Sequence, residues 1–111
     1  MIRVRYFRNK LGLEVRGHAQ SGEFGHDLVC AAVSALTVTL ADNLKAFEKG
    51  EMVTEVNIRL EPGDAFMRCR PDRHSRNLVT VLMDAFCVGY ERLAMEYPEN
   101  ISYEVISGGK G

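Results

Sequence analysis

Two long segments of this chain repeat their apolar residues every three or four positions, and five short segments alternate them every second position. The first long segment runs from about Asp27 to Glu48. The second can be capped by Ser75 or Asn77 and reaches roughly Tyr97. A single apolar stripe on each predicts a helix that buries one side. The stripe of the first helix consists of Val29, Val33, Leu36, Leu40, Leu44 and Phe47.

The alternating segments predict five strands around these helices. The predicted strands are residues 2–7, 13–16, 53–60, 65–70 and 101–106. Tight turns at residues 9–12 and at 62–64 join neighbours along the chain, which favours antiparallel pairing. The order β-β-α-β-β-α-β therefore predicts an α+β fold. We expect an antiparallel or mixed five-strand sheet with two long helices packed on one face.

Length and composition limit the class of protein. At 111 residues we expect one domain over residues 1–111, because a second core would be too small to stand alone. Apolar residues at 46% and charged residues at 26% are typical of a soluble globular protein. The apolar-rich stretch Leu28–Leu44 is interrupted by polar residues, so no membrane partner is expected. The first six residues lack a signal peptide, which predicts a cytoplasmic protein.

Cysteine count and net charge argue against a disulfide-stabilised protein and against a nucleic-acid-binding protein. Three irregularly spaced cysteines do not suggest a disulfide framework, so each thiol is either buried or reactive. The net charge of −1 gives no overall basic field, so direct nucleic-acid binding is not expected. We interpret a local basic cluster as solvated strand and loop charge, with an RNA-contacting patch as the alternative. Its members are Arg59, Arg68, Arg70, Arg73 and Arg76.

Cys30 lies where a reactive thiol is expected. If Asp27 is the N-cap of the first helix, Cys30 is the third helical residue, close to the positive end of the helix dipole. That position and a nearby imidazolium both lower the pKa of a thiol. His18, at a strand end, can serve as the base, and His26 is the competing candidate. From the residues alone, a buried core thiol remains the simpler interpretation of Cys30, and the choice of histidine stays open.

Three further residues have weaker claims to the site. Ser34 lies one helical turn after Cys30. We expect its hydroxyl to contact the thiol or a substrate group, or to bond back to a helix carbonyl. Cys69 and Cys87 have no acid–base neighbours in the sequence, so we interpret both as packing residues.

A metal centre is the least supported use of these side chains. A zinc site would have to combine His18, His26 and Cys30 with Cys69 or His74. That set lacks the paired, short-spaced ligands of structural zinc sites, so neither a metal nor a cofactor is expected. The glycines of the loop before the helix, Gly22 and Gly25, would allow it to act as a lid or simply to be a surface loop.

Two motifs together resemble a known family. Gly17-His18-Ala19 is followed by the helix start Asp27-Leu28-Val29-Cys30-Ala31-Ala32-Val33-Ser34. This combination closely resembles the bacterial Prp family, the ribosomal-processing cysteine proteases. The resemblance implies that Cys30 is the catalytic cysteine and His18 the catalytic histidine. Asp27 and Ser34 fall on the family's acidic and serine positions.

The resemblance also implies a substrate and an assembly. Members of the family are homodimers that remove a short N-terminal extension from the large-ribosomal-subunit protein numbered twenty-seven. They cleave after an apolar, aromatic-containing stretch, and the cleavage is needed for ribosome assembly. The alternative function is a non-enzymatic ribosome- or RNA-associated binding module that uses the arginine cluster.

Overall fold

A computed structural model of the protein describes residues 1–18 and 26–107, apart from the side chains of His26 and Asp27. The predicted order β-β-α-β-β-α-β is confirmed, with a short 3-10 turn at Arg8–Lys10 between the first two strands. The elements are β1 (Ile2–Phe7), β2 (Gly12–Arg16), α1 (His26–Lys49), β3 (Val53–Glu61), β4 (Asp64–Pro71), α2 (Arg76–Glu96) and β5 (Ile101–Ile106).

The five strands form one mixed sheet in the order β3-β4-β2-β1-β5. Only the pair of β1 with β5 is parallel, and the other three pairs are antiparallel. The cause is the two helical crossovers. α1 carries the chain from β2 past β4 to β3, and α2 carries it from β4 past β2 and β1 to β5. Helical crossovers of this kind connect parallel strands, so the mixed arrangement is the correct one of the two predicted.

The core lies between the sheet and the two helices, because every second strand residue points toward the helices. Val4, Tyr6, Leu13 and Met67 are buried on this side of the sheet. Both helices cover the same face, and no other element of residues 1–18 and 26–107 covers the outer face of the sheet. The helices contribute Val29, Val33, Leu40, Leu44, Val79, Met83 and Tyr90 to the core.

By length and composition alone, residues Leu28–Lys49 of α1 are long and apolar enough to cross a membrane. A core helix passes the same test when its apolar side is buried inside the protein. Here Val29, Val33, Leu40 and Leu44 are buried, and α1 packs against β3, β4 and α2. The contacts of α1 within the fold therefore account for its buried stripe, whereas Leu28 and Val38 of the same helix are exposed.

The predicted start of α1 is wrong, whereas that of α2 is confirmed in position. α1 begins at His26, so Asp27 is its second residue and not the N-cap, and Cys30 is its fifth residue and not its third. The predicted cap is wrong because the helical backbone already includes His26 and Asp27. Ser75 does occupy the N-cap position of α2, but its hydroxyl makes no capping bond. The Asp72 carboxylate accepts the Ser75 N–H at 2.8 Å instead.

Candidate active site

A cavity of about 380 Å³ lies between α1, the end of β2 and the turn that joins β3 to β4. His18, Cys30 and Ser34 all line it, so three of the predicted site residues come together at one place. Apolar side chains form much of its wall. Two of them, Val38 and Leu60, are exposed large apolar residues, and their position in the wall explains why they face solvent. The apolar wall residues are Ile2, Val15, Val33, Val38, Leu60, Pro62 and Ala65.

The three thiols differ in their surroundings, although all are free. Cys69 and Cys87 are buried, as predicted for packing residues. Burial raises the pKa of Cys69 to about 11 and that of Cys87 to about 12. Cys30 is only half-buried and borders the cavity. Of the three, Cys30 is therefore the thiol that a substrate in this cavity can reach.

The observed start of α1 changes which free backbone N–H groups lie near Cys30 and how strongly the helix dipole acts on it. With His26 as the first helical residue, the backbone N–H groups of residues 26–28 have no partner within the helix, whereas that of Cys30 belongs to the helical ladder. Cys30 lies at the start of the second turn, where the effect of the dipole is weaker than at the first. An anion at this helix end would therefore bond to the N–H groups of the first turn.

His18 is held by its backbone and by the glycine that its ring contacts. The Met1 amino nitrogen donates to the His18 carbonyl at 2.7 Å, and the Gly17 N–H donates to the Gly63 carbonyl at 3.0 Å. A Cβ on Gly63 would overlap the Nε2 and Cε1 atoms of the imidazole. Gly63 also has φ of +72°, as the second central residue of a Pro62-Gly63 turn requires. Gly63 therefore lies directly against the imidazole, and there is no room for a side chain at this position.

The position of the β3–β4 turn beside His18 is the part of the site that the sequence did not predict. The turn at Pro62–Gly63 was expected, but no local pattern places it against His18. It arrives there through the pairing of β4 with β2, in which Asp64 lies opposite Arg16. A correct strand order would have been needed to find it.

Among the described residues two carboxylates line the cavity, and they differ in their partners. The Asp64 carboxylate lies 3.1 Å from Arg59 and 3.6 Å from Arg16. The hydrogen bond from Arg59 lowers the pKa of Asp64 below its usual range. Glu61 forms no ion pair within the described part of the chain. Its charge nevertheless acts on Arg59, whose pKa is raised mainly by the hydrogen bond to Asp64 and to a smaller extent by Glu61.

Some predicted features are not brought into contact or fall outside the described residues. Within residues 1–18 and 26–107, no hydrogen bond links Cys30 with His18, and Ser34 forms neither a bond to the thiol nor one back to a helix carbonyl. The side chains of His26 and Asp27, and the predicted lid with Gly22 and Gly25, lie outside that part. Of the zinc set, Cys69 lines a different cavity from His18 and Cys30.

Comparison with known proteins identifies the family. Residues 1–102 match the family model described as cysteine protease Prp. The ribosomal processing cysteine protease Prp of Bacillus subtilis (strain 168) is 27% identical over 103 residues, which covers 90% of this chain and 89% of the relative.

Two solved structures are similar over nearly the whole chain. SMU.848 from Streptococcus mutans has a TM-score of 0.71 and 30% identity, covering 97% of this chain and 96% of that one. The essential ribosomal processing protease Prp from S. aureus, in complex with a covalently linked product peptide, has a TM-score of 0.69. At 24% identity, with 96% of this chain and 100% of that one covered, it shows the shared fold alone. By the family match, the chain belongs to the cysteine protease Prp family and is a cysteine-type peptidase.

Proposed function

We propose that this peptidase uses Cys30 as its nucleophile and His18 as its general base. The observation that supports the proposal most strongly is that both residues line one cavity, Cys30 from α1 and His18 from the end of β2. A nucleophile and a base that face the same space can activate a thiol when substrate closes the gap between them. Cys69 and Cys87 are poor alternatives, because both are buried and their pKa values are raised.

The proposed reaction is acyl transfer through a thioester. His18 takes the Sγ proton of Cys30 as the sulfur attacks the peptide carbonyl carbon. The C–N bond then breaks, and the amine leaves with the proton that His18 holds. Water attacks the thioester and gives a proton to His18, which returns it to the departing thiolate. The N–H groups of the first turn of α1 are the proposed donors to the oxyanion, with Ser34 and Asp27 as supporting residues.

We propose the N-terminal extension of the large-ribosomal-subunit protein numbered twenty-seven as the substrate. The name of the B. subtilis relative describes ribosomal processing, and two S. aureus structures are described as complexes with product and substrate peptides. The apolar walls of the cavity suit the apolar, aromatic-containing stretch that precedes the cleaved bond. The proposed place of action is the cytoplasm, where thiols remain reduced. Family membership favours this enzyme over the non-enzymatic binding module.

The test is cleavage of a peptide that contains the extension and the first residues after it, followed by mass spectrometry. We expect one cut after the apolar stretch, with cleavage abolished in Cys30→Ala and in His18→Ala. Ser102→Ala, an exposed substitution on β5, is the control for handling and folding. Cleavage at the wild-type rate by Cys30→Ala would overturn the proposed nucleophile.

The exposed side of α2 supports the homodimer as a further proposal. Leu78, Val81, Val88 and Met95 are 53%, 64%, 63% and 68% exposed, although large apolar side chains usually avoid water. With Ala85 and Arg92 they recur at alternating steps of three and four residues, which is the spacing of a coiled-coil seam. We propose that this stripe packs against the same stripe of a second copy, as two-fold dimers require.

Sedimentation or light scattering tests the dimer. Val88→Glu places a charge at the middle of the stripe, and we expect it to convert the dimer into a monomer. Ala46→Glu adds the same charge at an exposed position of α1 and is expected to leave the dimer intact. A wild-type protein that stays monomeric at micromolar concentrations would contradict the dimer without affecting the proposed chemistry.

A further inference from the structure

A second cavity, of about 450 Å³, lies at the opposite end of β4 from the proposed catalytic cavity. Asp64 and Ala65, at the start of β4, line the catalytic cavity, whereas Arg68, Cys69 and Arg70 line the second one. Since a strand rises by about 3.3 Å per residue, Asp64 and Arg70 are roughly 20 Å apart. The two cavities therefore offer independent sites on one molecule.

The second cavity is strongly basic. Lys10, Arg68, Arg70 and Arg76 line it, and Glu55 is the one carboxylate among the described residues that line it. Glu55 pairs with Arg70 at 3.1 Å, whereas the other three cations form no ion pair with any residue in the described ranges. Four cations against one carboxylate leave a formal charge of +3 on a chain whose net charge is −1.

One of the cationic groups is anchored by the surrounding backbone. The Nη2 atom of Arg76 donates to the Asn9 carbonyl at 2.8 Å, which fixes this guanidinium beside the cavity. Arg68 lies opposite Asn57 in the pairing of β3 with β4, next to an irregularity between Thr54 and Asn57. Fixed guanidinium groups match pairs of phosphate oxygens better than flexible ammonium groups do.

The sheet surface beside the cavity is open and partly aromatic. Gly12 lies between Phe7 and Arg68 in the strand pairing, so no side chain separates these two residues on the outer face. The half-buried Phe7 ring contacts the guanidinium of Arg5 at 5.2 Å from its centroid. Aromatic rings beside arginines are typical of surfaces on which nucleotide bases stack. This combination favours a nucleotide chain over a free phosphate ion.

We propose that the second cavity binds the phosphodiester backbone of a nucleic acid, separately from the peptidase site. Net charge alone argued against such binding, but the structure separates the charges. Arg59, counted with the basic cluster in the sequence, is paired with Asp64 at the catalytic cavity. Arg68, Arg70 and Arg76 instead join Lys10 around a space large enough for more than one phosphate.

Fluorescence anisotropy with a labelled single-stranded RNA of about 12 nucleotides tests the site, a length within the range of single-strand sites. Three phosphate contacts predict a slope of log K against log salt of about −2. Arg68→Gln is expected to reduce the magnitude of that slope by about 0.7 and to weaken binding several-fold. Arg3→Gln removes the same charge from an exposed strand position at the other end of the sheet and is expected to bind as the wild type does.

Two comparisons identify the ligand chemistry. DNA of the same sequence that binds equally well assigns recognition to the phosphates, and tighter binding of RNA adds a contribution from the ribose; both results support the site. Absence of binding at about 50 mM salt, equal losses in Arg68→Gln and Arg3→Gln, or equal competition by polyglutamate would each overturn it. Arg68→Gln is expected to cleave peptide at the wild-type rate, so this proposal fails or stands independently of the peptidase proposal.

Discussion

Cys30 and Cys87 show how the surroundings of a helical cysteine decide its chemistry. Cys87 points from α2 into the closed part of the core, where burial raises its pKa to about 12. Cys30 lies near the beginning of α1, where the helix meets the end of β2 and a cavity opens beside His18. The two residues have similar sequence neighbours, each flanked by small or apolar side chains. The difference between a packing thiol and the proposed nucleophile therefore comes from the tertiary structure.

The largest expected effect is a contrast between two alanine variants, one of which loses activity and the other stability. Cys30→Ala should lower the rate of peptide cleavage by at least about 10³-fold, because the attacking atom is lost. Its free energy of unfolding should change by less than about 0.5 kcal/mol, since the side chain is half-exposed. Cys87→Ala should keep its activity but lose about 1 to 2 kcal/mol of stability through the cavity that it creates. Cleavage rates and urea unfolding curves of both variants give the comparison.

If Cys87→Ala lost cleavage while remaining folded, the distinction drawn between the two cysteines would be wrong.

A smaller effect is expected from the support beneath His18. Gly63→Ala would place a methyl group where the imidazole lies, at a φ that disfavours side chains. Displacement of a catalytic group by about 1 Å costs on the order of 10²-fold in rate, so we expect kcat to fall by about that factor. KM should change much less than kcat, because the imidazole acts in the chemical step. A merely structural role for Gly63 would lower activity only in proportion to the loss of folded protein.

Gly50→Ala is the matched control for this substitution. Its Cβ would meet the nearest backbone oxygen at an ordinary 3.5 Å, at the far end of α1 from the cavity. We expect wild-type kcat and KM. Equal losses of activity in the two variants would show that Gly63 has no special relation to His18.

Alkylation rates sharpen the comparison of the thiols themselves. Thiolate is the reactive form, and pKa values of about 11 and about 12 leave Cys69 and Cys87 with less than roughly one thiolate in a thousand at pH 8. We expect iodoacetamide to modify Cys30 at least about ten times faster than either, as followed by peptide mass mapping. Urea should abolish the difference, because it exposes all three residues. Equal slow rates in the folded protein would show Cys30 to be an inert thiol.

The smallest effect concerns the polar contact that closes the core near Cys87. Tyr6 donates to the Asp84 carboxylate at 2.8 Å, and Arg8 donates to it at 2.9 Å. The bond from Arg8 lowers the pKa of Asp84, against the opposing effect of burial. Because the folded-state pKa lies below the unfolded one, the carboxylate stabilises the fold above its ordinary pKa of about 3.9. That stabilisation is lost as the pH falls through the folded-state pKa.

Asp84→Asn is therefore expected to lower the urea midpoint modestly at pH 7, with the difference from wild type shrinking toward pH 3. Glu99→Gln, an exposed change after α2, should leave the midpoint unchanged at both pH values. A difference between Asp84→Asn and wild type that stays constant over this range would contradict the role given to the ionised carboxylate.

The sequence predicted what depends on local pattern and left out what depends on strand order. Periodicity was sufficient for both helices and all five strands. The predicted start of α1, the helix that carries Cys30, lies within two residues of the observed start at His26. The parallel pairing of β1 with β5 was not determined, because it depends on crossovers whose length does not specify the strands they pass. The same ambiguity concealed the contact between Gly63 and His18. It also concealed the meeting of Lys10 with three arginines, since these residues are far apart in the chain.

The most direct test of the central claim is to capture the acyl-enzyme. The protein is mixed with the extension peptide, quenched in acid during the first turnover, digested and analysed by mass spectrometry. The account predicts that the fragment containing Cys30 gains the mass of the acyl part of the peptide and loses it on treatment with hydroxylamine. An adduct on Cys69 or Cys87, or an unmodified Cys30 during a demonstrated burst of cleavage, would contradict it.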